Sequence, residues 1–186
     1  FSLFTIGGTK SSRQVLGAND IIRIGVAGII VRGTSHIGGF APTDGVEVSC
    51  LIDPDKNLFD SRSKMVHDKG GNTPECVQDI RVALENKNLD AISVATCNHW
   101  HSVITVWACQ AGKDVYVEKP ISHNVWEGRQ CVAAATKYNR IVQHGTQNRS
   151  SQNKANEIAA AQSGKYGKLL VSKGYCCKPR WSIGHK

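Results

Sequence analysis

Glu118-Lys119-Pro120 closes the short apolar run Asp114-Val115-Tyr116-Val117. Such a run reads as a buried strand, and a lysine at the carboxyl end of a parallel strand faces the crevice in which open α/β sheets hold ligands. The chemistry offered there is proton transfer. A partly buried lysine amine loses basicity and can exchange a proton with a substrate hydroxyl. Pro120 fixes its own φ, restricts Lys119 before it and permits a cis peptide, so the lysine is expected on a rigid turn. Taken alone, a Glu-Lys pair ahead of a turn is also an ordinary surface feature.

Three further groups fall at expected strand ends. Gly25, Gly28 and Gly33 surround the first strand-to-helix turn, where the pattern Gly-x-Gly-x-x-Gly lets backbone amides approach a pyrophosphate. Starting the pattern at Gly28 puts Ile30 in the place of the middle glycine, so phosphates are expected to sit farther out or bind more weakly. Asp53 ends the second strand 25 residues after Gly28, near the separation at which a carboxylate accepts hydrogen bonds from an adenosine ribose. A carboxylate there repels a ribose 2′-phosphate, which favours NAD over NADP; an ordinary Asp-Pro turn is the alternative. Thr96-Cys97-Asn98-His99-Trp100-His101 follows a third strand. Thr96 and Asn98 offer hydrogen bonds to a ligand, and His101 opens the next helix. His99 and His101 lack a third and fourth ligand nearby, so no metal is expected. Trp100 and Trp107 read as packing residues.

The elements that must carry these groups alternate along the chain. Strands are expected at residues 21–27, 46–52, 90–95, 114–117 and 141–144, and helices at 32–40, 54–69, 102–111 and 124–138. Pro74 suits the first position of a helix running to about residue 88, because its missing N–H costs nothing there. Repeated βα alternation implies an α/β fold, a doubly wound parallel sheet covered by helices on both faces and joined by right-handed crossovers. A helix at 150–162 and a strand at 168–174 are expected next, and these last residues are too few for an independent domain.

The chain has 186 residues, room for one domain of ordinary size and the beginning of another. No apolar run approaches the roughly 18 residues that cross a bilayer, so no membrane span is expected. The net charge of +8 is unevenly placed: residues 1–136 hold 13 Lys+Arg and 14 Asp+Glu, whereas residues 137–186 hold 10 and 1. A basic tail can bind phosphates, but it carries neither zinc-finger spacing nor a stacked-aromatic pattern, and a piece of a second domain explains it as well. The seven cysteines form no Cys-x-x-Cys pair, which points to reduced, buried thiols rather than a metal site or disulfide framework.

Taken together, Ile24-Gly25-Val26-Ala27-Gly28, Asp53, the segment Thr96 to His101, Ala111-Gly112-Lys113-Asp114-Val115-Tyr116-Val117-Glu118-Lys119-Pro120 and Gln143-His144-Gly145-Thr146-Gln147 resemble the Gfo/Idh/MocA family, named for glucose-fructose oxidoreductase and inositol dehydrogenase. The resemblance spans about residues 20–180. It implies an N-terminal Rossmann domain holding NAD, with NADP less favoured, followed by a C-terminal α/β domain with an open sheet. It implies a sugar, cyclitol or related small-molecule substrate, and a homo-oligomer for the full-length protein. Lys119 matches the family lysine beside the nicotinamide and the substrate hydroxyl. Gly28, Ile29, Ile30, Gly33, Asp53, Thr96, Asn98, His101, Glu118, Lys119 and Gln147 match the cofactor side. Ile30 and Cys97 depart from the family pattern, which usually has glycine and proline there. Family members are generally about twice as long and take further catalytic groups, commonly an aspartate and a histidine, from the C-terminal domain. The expected organisation is a leader or export-signal remnant at 1–19, the Rossmann domain at 20–147 and the start of the second domain at 148–186. Residues 15–20 resemble the junction after a twin-arginine signal, so the location is either cytoplasmic or periplasmic. Two alternatives stand beside the oxidoreductase: a non-catalytic nucleotide-binding sensor, and a nucleic-acid-binding protein using its basic tail.

Overall fold

The computed structural model describes residues 21–175 and Cys177. The expected leader at 1–19 and the end of the basic tail lie outside the described residues. The chain divides into two compact units, one ending at Gly145 and the other starting at Thr146.

The first unit is a six-stranded sheet. Its strands are β1 (Ile22–Ala27), β2 (Val46–Ile52), β3 (Glu75–Val77), β4 (Ala91–Val94), β5 (Asp114–Glu118) and β6 (Val142–Gly145). Their order is β3-β2-β1-β4-β5-β6, and every neighbouring pair is parallel. The helices are α1 (Val31–Phe40), α2 (Phe59–Gly70), α3 (Ile80–Glu85), α4 (His101–Gln110) and α5 (Val125–Tyr138). The chain order runs outward from β1 in one direction and then, starting at β4, in the other. The reversal opens a crevice at the carboxyl ends of β1 and β4.

Two apolar cores bury the two faces of the sheet. One packs α1 and α2 through Ile37, Ala41 and Val66 against Val26, Val48 and Leu51. The other packs α3, α4 and α5 through Leu84, Ile104, Ala108 and Ala134 against Ile92, Val94, Val115 and Val117. The doubly wound α/β sheet expected from the alternation is thus the observed fold. One feature departs from simple alternation. Ile24 pairs with Val48 but Gly25 pairs with Cys50, so Ser49 is an extra residue in β2. A bulge of this kind shifts the side-chain alternation by one, which puts Val48 in the first core and Cys50 and Ile52 in the second.

Two expected elements differ. The helix starting at Pro74 is instead the edge strand β3 followed by the short α3. Glu75, Cys76 and Val77 find hydrogen-bonding partners along β2, and Asp79 then caps α3 by accepting from the Arg81 N–H, which resets the helix start. In the second unit, α6 (Gln152–Gln162) forms, but residues 168–174 make no strand. A strand requires a ladder partner, and Leu169, Leu170 and Val171 are exposed.

Candidate functional site

Gly28 follows β1 with φ +80°, in the left-handed region that glycine tolerates. A Cβ there would come within 2.7 Å of the Ala95 carbonyl and the Thr96 nitrogen, so the turn presses on the end of β4. Gly33, in the first turn of α1, lets the helix lie directly on the Gly28 carbonyl. Ile30 has φ −81°, outside the left-handed region that would call for glycine. Its side chain is 53% exposed and stands beside the N-terminus of α1, which carries no side-chain cap. The first-turn N–H groups there are available to an anion.

Asp53 holds this turn from the neighbouring strand end. Its Oδ2 accepts from the Ile29 N–H at 3.0 Å and its Oδ1 from the Asp55 N–H at 3.0 Å. Arg62 of α2 donates Nε–H to the Ile29 carbonyl at 2.8 Å. Ile29 buries its side chain completely and presents backbone. Asp53 is itself buried, so the residue expected to meet a ribose also shapes the loop around it.

Glu118, the last residue of β5, is buried. A single oxygen, Oε1, receives Arg32 Nε–H at 2.8 Å and faces His36 Nε2 at 3.0 Å. His36 Nδ1 meets Ser93 Oγ at 2.7 Å. Burial lowers the His36 pKa, against the raising effect of Glu118. The neutral ring therefore donates Nε2–H to Glu118 and accepts the Ser93 hydroxyl at Nδ1. Burial pushes the Glu118 carboxyl up, but the hydrogen bonds from Arg32 and His36 outweigh it and hold the group below the usual range. Arg32, His36 and Ser93 were not among the expected site residues. The signal was present in the spacing: Arg32 and His36 lie four apart on α1, and residues so spaced share one helix face.

Lys119 follows, joined to Pro120 by a cis peptide. It is exposed rather than partly buried, because β5 ends at Glu118 and Lys119 stands in the open turn after it. Thr96 is half-buried and Asn98 exposed at the end of β4, where Asn98–Trp100 makes a single 3-10 turn. His101 is only 1% exposed. Its Nδ1 lies 2.6 Å from the Pro120 carbonyl oxygen and its Nε2 3.0 Å from that of Thr96, so its ring supports the floor of the crevice. Gln147 belongs to the second unit, in the turn Gln147–Ser150. The Trp100 and Trp107 rings lean on each other with centroids 6.3 Å apart. Among the described residues no group of three or more His, Cys, Asp or Glu could hold a metal ion. Nor is any described helix long and apolar enough to cross a membrane.

The first unit thus joins a glycine turn at a helix N-terminus, an acid at the adjoining strand end and a lysine two strands away, all on one edge of a doubly wound sheet. The fold recurs in solved structures. Scyllo-inositol dehydrogenase from Lactobacillus casei, with bound NAD(H) and scyllo-inositol, matches with a TM-score of 0.70 at 21% identity, over 80% of this chain and 43% of that one. A probable dehydrogenase from Thermotoga maritima matches with a TM-score of 0.67 at 26% identity, over 79% and 43%. A glycosyl hydrolase family 109 protein from Shewanella pealeana is 24% identical over 169 residues, covering 88% of this chain and 37% of the relative. The chain therefore spans about two fifths of the length of these proteins. The family model for the oxidoreductase family with an NAD-binding Rossmann fold matches residues 22–146. By that match and this fold, the chain belongs to the Gfo/Idh/MocA oxidoreductase family and carries its NAD-binding Rossmann domain.

Proposed function

We propose that this chain is the cofactor-holding part of an enzyme that moves hydride between nicotinamide and a carbinol carbon of a sugar, cyclitol or close derivative. The observation that carries the reading is the placement of Lys119 directly after Glu118, whose carboxylate reaches across to Arg32 in the first turn of α1 at 2.8 Å. The lysine and the glycine turn are thereby tied into one site. Bound NAD supplies the hydride acceptor, chemistry that no side chain provides.

The residues present fit that group. The N-terminus of α1 offers unpaired N–H groups to a diphosphate, and Arg32, about half-exposed beside it, adds positive charge on the same face. Asp53 sits where an adenosine ribose is received, and its charge favours NAD over NADP. Lys119 takes the hydroxyl proton as the carbinol is oxidised and returns a proton to the oxygen as the carbonyl is reduced. In this reading Thr96 and Asn98, which follow β4 (Ala91–Val94), add hydrogen bonds to the cofactor.

Titration with NADH, followed by energy transfer from tryptophan, tests the cofactor reading. Saturable binding supports it, and no binding at millimolar NADH removes it. The catalytic reading is tested in the full-length protein assayed against inositols and aldoses. Lys119→Met should lower turnover by on the order of a hundredfold or more while leaving NADH affinity nearly unchanged. Unchanged turnover takes Lys119 out of the mechanism.

A further inference from the structure

Lys119 is exposed, yet the residues on either side of it are each held by a buried histidine. On the amino side, Glu118 meets His36 Nε2 at 3.0 Å. On the carboxyl side, the Pro120 carbonyl meets His101 Nδ1 at 2.6 Å. His36 belongs to α1 and His101 to α4, and these helices pack on opposite faces of the sheet.

The second nitrogen of each ring completes the pattern. His36 Nδ1 meets Ser93 within β4, and His101 Nε2 meets Thr96 just beyond β4. His36 therefore bridges β4 to β5. His101 has a carbonyl oxygen at each ring nitrogen and in its neutral form donates its one N–H to one of them, Pro120 at 2.6 Å being the nearer. The two rings straddle one lysine. Satisfying a buried imidazole does not require this, because any nearby carbonyl would serve. Here all four partners lie on the two segments that bear Lys119 and the Thr96–Asn98 loop.

We propose that His36 and His101 are positioning residues that clamp Lys119 from both sides and so set the nicotinamide end of the cofactor site. This role rests on the reading of Lys119 given above. The clamp matters because β5 ends at Glu118, so beyond it the ladder to β4 no longer holds the chain. The two histidines carry the restraint past the strand end, into the turn where the amine must be placed.

The test compares NADH with ADP-ribose, which has the adenosine and diphosphate but lacks the nicotinamide, both titrated by tryptophan fluorescence. Asparagine can place an amide N–H where histidine has Nδ1, and glutamine where it has Nε2. His101→Asn therefore keeps the tie to Pro120, and His101→Gln keeps only the tie to Thr96. At position 36 the roles reverse: His36→Gln keeps the tie to Glu118 and His36→Asn does not. The clamp predicts that His101→Gln and His36→Asn weaken NADH about fivefold, roughly the loss of one hydrogen bond, with ADP-ribose changed less than about twofold. His101→Asn and His36→Gln should stay near wild type for both ligands. A general packing role would instead weaken both ligands together, or make the two variants at each position alike, and either result overturns the proposal. In the unsubstituted chain, both histidines should also show ring N–H protons that exchange slowly with water. Rapid exchange of these protons at either ring overturns the clamp, whatever the variants do to folding. If the unsubstituted chain binds ADP-ribose but not NADH, the clamp has nothing to position and falls alone. If it binds neither ligand, the cofactor reading falls and takes the clamp with it.

Discussion

Gly33 lies so close to Gly28 that a Cβ on it would stand 1.8 Å from the Gly28 carbonyl oxygen. The obstacle is backbone, so no rotamer change relieves it, and α1 would have to lift off the turn that it closes. Gly33→Ala should lower stability by about 2 kcal/mol or more in urea unfolding and weaken NADH binding in parallel. Gly39, in the same helix, has open space around its Cβ position. Gly39→Ala should leave binding alone and add up to about 1 kcal/mol, the helix preference of alanine over glycine. Equal effects at the two positions would mean that helix propensity, not the close approach, governs α1.

Removing the carboxylate of Asp53 leaves the N–H groups of Ile29 and Asp55 without their acceptors. Asp53→Ala should cost about 1–3 kcal/mol for a buried polar group left unpaired. The NADH affinity should fall more steeply than that of NADPH, since the charge opposing a 2′-phosphate goes with it. The check is the ratio of the two dissociation constants, which should move toward NADPH.

Acid should weaken the fold in two stages. Burial holds the His36 pKa below its unfolded value, despite the opposing pull of Glu118. The unfolded chain therefore takes up this proton first, and stability falls as pH drops through about 6.5. Glu118 is also held below its usual range: burial opposes this, but the hydrogen bonds from Arg32 and His36 outweigh it. Its contribution is full above an unfolded pKa of about 4.3 and disappears as pH falls below that. The pH dependence of the urea midpoint should show both steps, and His36→Gln should flatten the upper one. An unchanged upper step in that variant would assign it to another histidine.

Alkali acts through buried thiols. Burial pushes Cys50 up to about 12 and Cys109 up to about 11. The unfolded chain loses these protons first, so stability should decline as pH rises above the ordinary thiol range of about 8.5. Burial also predicts reactivity: among the described cysteines, Cys97 and Cys177 are exposed, whereas Cys50, Cys109 and Cys131 are buried. A disulfide reagent mapped by mass spectrometry should label the exposed pair in the native protein and the buried three only in denaturant. Native labelling of Cys50 would contradict its place in the core.

The parts of the site legible in the sequence are those where a residue type answers a local backbone demand. Gly28 sits in a left-handed turn, Asp53 ends a strand of β-branched and apolar residues, and Pro120 follows a lysine at a strand end. Each carries its meaning in its neighbours, so reading the chain found the strand-end positions of the cleft. Ile30, in the place of the middle glycine, has a φ of −81°, outside the left-handed region that would call for glycine.

What remained hidden depends on partners far away in the chain. β3 is a strand because β2 runs beside it, and three residues are too few for periodicity to announce it. Ser49 is a bulge only by reference to the register with β1, and that single residue decides which core receives Cys50. His36 and His101 look like helix residues near two motifs; 82 residues separate His36 from Glu118, and 19 separate His101 from Pro120.

By itself the sequence determined the βα alternation, the strand ends that face the crevice and the family whose motifs stand there. Helix and strand periods and turn residues are local physics, written within a few positions of where they act. Only the tertiary structure decided how Lys119 is held, which residues support the glycine turn, and where the side-chain alternation shifts. Hydrogen bonds and packing at those points join strands and helices that the chain brings together only when the whole sheet has formed.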